Sequence, residues 1–237
     1  MSKKRLFVNV LGALLLISTT LLTISAWNDP RSKAITGMIW GLILLWIFFA
    51  GGFMFIFRDR IKHIVSPIQV EWKTKFILMC TILALIEEAI TTTMTNLAPF
   101  FGVNMGEAYI TASANYLDVV TFHSVVVFVP MFISWAWLLN RYDFRPFSVF
   151  LLFGITGTIA ETISFGIMAL FMFWQWIFVY GLMVYIPAYC IPENRVVVPA
   201  RFWHYIGAIF FPILFAIPVA IFINVVFPNH PSIHFGS

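Results

Sequence analysis

Long apolar runs, separated by short stretches that hold nearly all of the charge, divide the chain into a repeating pattern. Seven runs stand out, at residues 6–26, 35–57, 76–96, 117–139, 147–165, 173–191 and 203–227. A helix rises about 1.5 Å per residue and a bilayer core is about 30 Å thick, so each run predicts a membrane-spanning helix. The stretch 147–191 is too long for one span and divides near 165–173, at an almost uncharged turn. Proline marks several ends, because it lacks a donor and disfavours helix in the residue before it. Asn28-Asp29-Pro30 closes the first run, Pro187 and Pro192 the sixth, and Pro228 and Pro231 the seventh.

One connection differs from the others. Residues 97–116 are less apolar and carry Pro99, Gly102, Asn104, Gly106, Glu107 and Asn115. Connections of that length are usually functional, disordered or internally structured. Its Gly106–Ala114 segment is expected to form a short helix that lies at the interface or folds back into it.

Charge then fixes the direction of the spans. With the N-terminus inside, Lys3, Lys4, Arg5, Arg58, Arg60, Lys62, Lys73, Lys75, Arg141, Arg145, Arg195 and Arg201 fall on the cytoplasmic side, against Arg31 and Lys33 outside. Basic residues favour cytoplasmic loops, and an error of one helix would scramble this bias. The expected fold is an all-α polytopic bundle of about seven spans, N-in and C-out, forming one integral membrane domain over residues 1–237. Composition agrees: 61% of the 237 residues are hydrophobic and 10% charged, whereas soluble domains are nearer half and a quarter. The first apolar run exceeds the 7–15 residues of a signal-peptide core, so it reads as an uncleaved helix. The expected partner is the lipid bilayer, in the plasma (cytoplasmic) membrane. Nucleic acid is not expected, because the basic residues are scattered through short loops. Cys80 and Cys190 form no CxxC or zinc spacing.

Candidate chemistry comes from the polar residues inside the spans. Glu87 and Glu88 interrupt the third, His123 lies in the fourth and Glu161 in the fifth. A charge at the bilayer centre costs about 2.5–3.5 kcal/mol even on insertion scales, so such groups face protein or water. Counting at about 1.5 Å per residue puts Glu88 roughly 20 Å from Lys75, Glu161 roughly 24 Å from Arg145 and His123 roughly 27 Å from Arg141. All three fall in the outer half of the membrane. Residues three, four and seven apart share a helix face. Around Glu88 these are Thr81, Ala84, Thr91, Thr92 and Thr95; around Glu161 they are Gly154, Gly157, Thr158 and Ser164. Small residues let membrane helices approach closely, so the Glu161 face is expected to meet protein. Glu88, His123 and Glu161 are therefore expected to share a site, with Glu87 as the supporting acid. His204 sits at the cytoplasmic end of the last span and reads as an interface anchor. His230 and His234 read as mobile tail residues.

Three carboxyls in a low dielectric cannot all ionise. One solution is a divalent metal held by Glu88, His123 and Glu161, with carboxylate and imidazole ligands suited to Zn, Mn or Fe. The other is an acid–base pair that activates water or relays protons. Paired glutamates on a membrane helix followed by a histidine on a later one resemble the glutamate intramembrane proteases related to CAAX-processing endopeptidases. The resemblance implies a membrane-embedded hydrolase in which Glu87-Glu88 and His123 activate water, with His204 as a later histidine. The chain differs from that pattern in lacking an arginine between Ala89 and Thr92, and in having Val119 and Ala208 at its phenylalanine and asparagine positions. Two other classes fit the same residues: a proton- or ion-coupled transporter, for which a homo-oligomer is expected because seven helices are few, and a non-catalytic assembly protein. A retinal protein is excluded, since the seventh span has no lysine.

Overall fold

The computed structural model describes residues 3–231; His234 lies outside the described residues. The chain is a helical bundle. Its helices are α1 (Lys3–Ser25), α2 (Pro30–Leu42), α3 (Gly51–Ile56), α4 (Arg58–Val65), α5 (Trp72–Asn96), α6 (Tyr116–Asp118), α7 (Val125–Arg141), α8 (Pro146–Phe165), α9 (Phe173–Tyr189) and α10 (Phe202–Val226). Among the described residues six helices are long and apolar enough to cross a membrane, or seven when the bent pair Tyr116–His123 and Val125–Arg141 counts as one span.

Boundaries shift for identifiable reasons. The second span starts at Pro30 rather than residue 35, because the Asp29 carboxylate accepts the Ser32 N–H at 2.9 Å and Pro30 occupies the first helical turn. α1 itself ends at Ser25, three residues before Asn28. A π-helical stretch, Ile43–Ala50, joins α2 to α3. Within it Trp46 is fully buried and its indole N–H donates to the Val179 carbonyl at 3.0 Å. The fourth span is broken: a π-helical turn, Val119–His123, precedes α7, and the two halves meet at 45°. The charged stretch after α3 is itself a short exposed helix, α4.

One end of the bundle is tied together by the basic connections. Lys62 pairs with Glu193 at 2.6 Å, the Tyr189 hydroxyl donates to Asp59, and Arg195 donates to the Leu139 carbonyl. A two-residue parallel strand pair, Tyr142–Asp143 with Val198–Pro199, links the α7–α8 and α9–α10 connections. His204 belongs to this end: its Nδ1 accepts the Arg201 N–H at 2.9 Å, capping α10, and its ring stacks on Tyr142 at 4.0 Å.

The α8–α9 pair forms the tightest seam. Gly154 lies directly on the α9 backbone, where a Cβ would come within 2.6 Å of Ile177 Cα; Gly157 lies under the Tyr180 ring and Gly181 under Phe150. The small-residue face predicted around Glu161 packs on protein, as the spacing implies. Thr156 then joins α8 to α10, donating to the Ile209 carbonyl at 2.8 Å.

The connection 97–115 departs from expectation. After a 3-10 turn, Ala98–Phe101, the segment 106–114 has no helix. Gly102 and Gly106 take positive φ, and Glu107 closes a turn by accepting from the backbone and side-chain amides of Asn104, both at 2.8 Å. Those bonds hold its carboxyl below the usual range. The chain then runs irregularly back over α5. Thr95 accepts the Ile110 N–H at 3.2 Å, and Asn96 donates to the Ala114 carbonyl at 2.8 Å. A helix would satisfy its own backbone; here α5 side chains supply partners instead, which lets Ala108, Thr111, Ala112 and Ser113 be buried.

Replacing Gly154 with Ala pushes α8 away from the α9 backbone. Overpacking of this kind costs about 1–3 kcal/mol. Equilibrium unfolding in mixed micelles should show that loss, while Gly52→Ala, where a Cβ meets nothing, should be neutral.

Candidate functional site

The α5 stripe that carries the paired acids is almost wholly buried: Glu87 is 4% exposed, Glu88 7%, and Thr91, Thr92 and Thr95 lie with them. Both glutamates, not only Glu88, face a cavity of about 600 Å³. Glu161 and His123 line the same cavity. The four residues singled out from sequence are therefore gathered round one space, roofed by Tyr109, Ile110, Thr111 and Ala112 of the long connection.

Each acid has a different set of neighbours. Two hydroxyls converge on Glu88 Oε2, Thr91 from one turn ahead at 3.1 Å and Thr111 from the folded-back connection at 3.2 Å. Ser124 lies beside the same side chain and lines the cavity with it, its own hydroxyl donating to the Val119 carbonyl at 3.4 Å. Ser124 reaches it because the span breaks there: its backbone leaves helical geometry at φ −125°, ψ −74°. Sharp bends in helices occur at such π-turns, which are frequent at functional sites. Glu161 instead accepts from the Tyr180 hydroxyl. Gly157, one turn before Glu161, lets the Tyr180 ring lie flat against α8 and deliver that hydroxyl. Glu87 accepts no side-chain hydrogen bond among the described residues; Glu88 and Glu161 are its charged neighbours.

Several participants were not read from sequence. Tyr180 looks like one more aromatic in an apolar run, and only the helix pairing shows its direction. Gln175 was legible as an amide near the start of the sixth span. It is 3% exposed, lines the cavity, and its Oε1 has no partner among the described residues. His230, expected in a mobile tail, instead packs on the His123 ring at 5.7 Å and stacks on Phe122 at 5.9 Å, while Phe227 meets Phe122 at 5.6 Å. His204 lies at the opposite end of the bundle, as its depth implied.

Apolar side chains make up most of the wall, and among the described residues the lining holds no lysine or arginine. Among the described residues no group of three or more His, Cys, Asp or Glu side chains is placed to hold a metal ion. From its own side chains the arrangement offers proton chemistry. Three acids, an imidazole and two phenols, Tyr109 and Tyr180, surround a space of a size typical for small-molecule sites, about 300–1,000 Å³.

Tyr180→Phe removes the donor to Glu161 without changing the shape of the seam. The carboxyl bands in the infrared spectrum should shift relative to the parent and match the loss seen in Glu161→Gln. Superimposable carboxyl regions for Tyr180→Phe and the parent would count against this hydrogen bond.

Comparison of the chain with protein-family models, with curated proteins and with solved structures found no match.

Proposed function

We propose that this protein is a membrane-embedded hydrolase of the cytoplasmic membrane, working by acid–base catalysis inside the bilayer. The observation that carries the proposal is the gathering of Glu87, Glu88, Glu161 and His123 around one cavity in an otherwise apolar bundle. Burial of several ionisable groups in one cleft is how active sites obtain groups able to exchange protons.

The roles follow from the neighbours. Glu88, oriented by the Thr91 and Thr111 hydroxyls, takes a proton from a water in the cavity. The hydroxyl oxygen adds to the substrate carbonyl carbon. Glu161, fixed by Tyr180, gives its proton to the departing oxygen or nitrogen as that bond breaks. Water is thus divided between the two products, and the proton gained by Glu88 restores Glu161. His123 faces the same space and serves the transfer between them. This reading keeps the resemblance to glutamate intramembrane proteases at Glu87-Glu88 and His123. It gives no part to His204, which caps α10 at the other end.

A transporter remains the second reading, favoured by the broken fourth span, since transporters build midplane sites from discontinuous helices.

With the protein in liposomes and a panel of ester, amide and peptide substrates, Glu88→Gln should lower kcat by about 10²–10⁴, the usual contribution of a general base, while the folded fraction is unchanged. Undiminished turnover in that variant would remove Glu88 from the chemistry. Proton-gradient-driven uptake with no turnover of any substrate would decide for the transporter.

A further inference from the structure

The cavity is not closed on all sides, and its walls state what can enter. Helices α8 and α10 are joined at Thr156 and Ile209. One to two turns further from the basic end, both helices still line the cavity, yet Ile163 is 73% exposed and Ile217 45%. Ala216 and Ala220 face the cavity between them with minimal bulk. A residue that both lines a cavity and is exposed on the outside marks its mouth. That outside surface is the lipid-facing side of two spanning helices. Exposure of the acids runs the same way: Glu87 and Glu88 are buried at the inner wall, whereas Glu161, on α8, is only partly so.

The inner wall leaves acceptors without donors. Gln175 Oε1 is buried without a partner, Glu87 accepts no side-chain hydrogen bond, and the lining contains no lysine or arginine among the described residues. A buried acceptor without a donor is costly, so an occupant that supplies donors is favoured. One that brings an anionic head meets the Glu88 carboxylate, the base of the proposed reaction, with no compensating cation in the lining among the described residues. The rest of the lining suits an apolar chain.

We infer that the cavity admits its ligand sideways from the bilayer, between α8 and α10, and that the ligand is a single-chain lipid with a neutral or cationic, hydrogen-bond-donating head, with anionic lipids refused. This deepens the hydrolase reading by naming its substrate class and rests on that reading for turnover. A monoacylglycerol has the required parts: one chain, two hydroxyl donors and an ester. Hydrolysis there breaks the acyl C–O bond, adds the water oxygen to the acyl carbon, and returns glycerol and a fatty acid.

The test uses the full chain in phosphatidylcholine nanodiscs with two photoreactive probes of equal chain length, a monoacylglycerol and a lysophosphatidic acid, each with a diazirine in the chain. Mass spectrometry of the crosslinks should place the monoacylglycerol on the cavity-facing residues of α8, α9 and α10. Lysophosphatidic acid should label these positions less by about tenfold or more, because like charges are opposed at the inner wall. Ala216→Trp, which fills the mouth, should cut monoacylglycerol labelling by about fivefold or more, in the manner of an overfilled pocket. Equal labelling by both probes, or labelling confined to the outer lipid-facing surface, overturns the inference without any variant having to fold. Released fatty acid is measured on the same samples kept dark. Selective labelling with no release leaves the binding inference standing and sinks the hydrolase. Turnover of a water-soluble ester without cavity labelling does the reverse.

Discussion

Three carboxyls held within the thickness of a bilayer constrain everything around them. In hydrocarbon each polar group needs a partner inside the protein, and α5 brings two acids on adjacent residues, which face directions about 100° apart. No single neighbouring helix covers both. The bundle therefore closes round α5 with three unlike devices. An irregular connection folds back to bring Thr111, a spanning helix breaks to bring Ser124, and a glycine on α8 lets Tyr180 reach the third acid. The long connection has no helix over 106–114 for the same reason: a segment whose backbone is bonded to α5 is one whose side chains can be aimed at Glu88.

Stability and function are divided between the two ends. Between membrane helices there is no hydrophobic drive comparable to that in water, so close packing and interhelical hydrogen bonds carry association. Gly154 and Gly181 supply the first at the α8–α9 seam, and Thr156 and Trp46 supply the second. The basic connections add ion pairs and a strand pair at one end. With that end fixed by the connections, the cavity is left to the part of the bundle beneath the 97–115 connection.

The spans were legible because hydrophobic length is a strong signal. The acids were legible because a carboxyl in hydrocarbon needs a reason. What did not follow from sequence is whatever depends on angles between helices. Periodicity ranked Glu88 over Glu87, but a cavity lying between several helices takes in both faces of α5. Tyr180 differs from its aromatic neighbours only in pointing across a glycine. The break at His123–Ser124 has no proline at its centre, and His230 reaches the site only because the end of α10 turns back over Phe122. Gln175 was the missed signal that sequence did contain, for an amide in an apolar run asks for partners just as an acid does.

The acids are best ranked by what the protein gives each of them. Glu88 is supplied with hydroxyls from α5 itself and from the folded-back connection, so its geometry is set before anything enters the cavity. Glu161 is held by one phenol and stands nearer the mouth, where an arriving molecule meets it first. Glu87 lies between them, and among the described residues the protein offers it no side-chain donor. A carboxyl in that position takes its hydrogen bonds from the contents of the cavity, and Gln175 Oε1 shares the same need. Two unmet acceptors at the inner wall make sense in a site that is completed by its occupant. A purely structural cluster would have been free to satisfy them with one more threonine, as it does twice at Glu88.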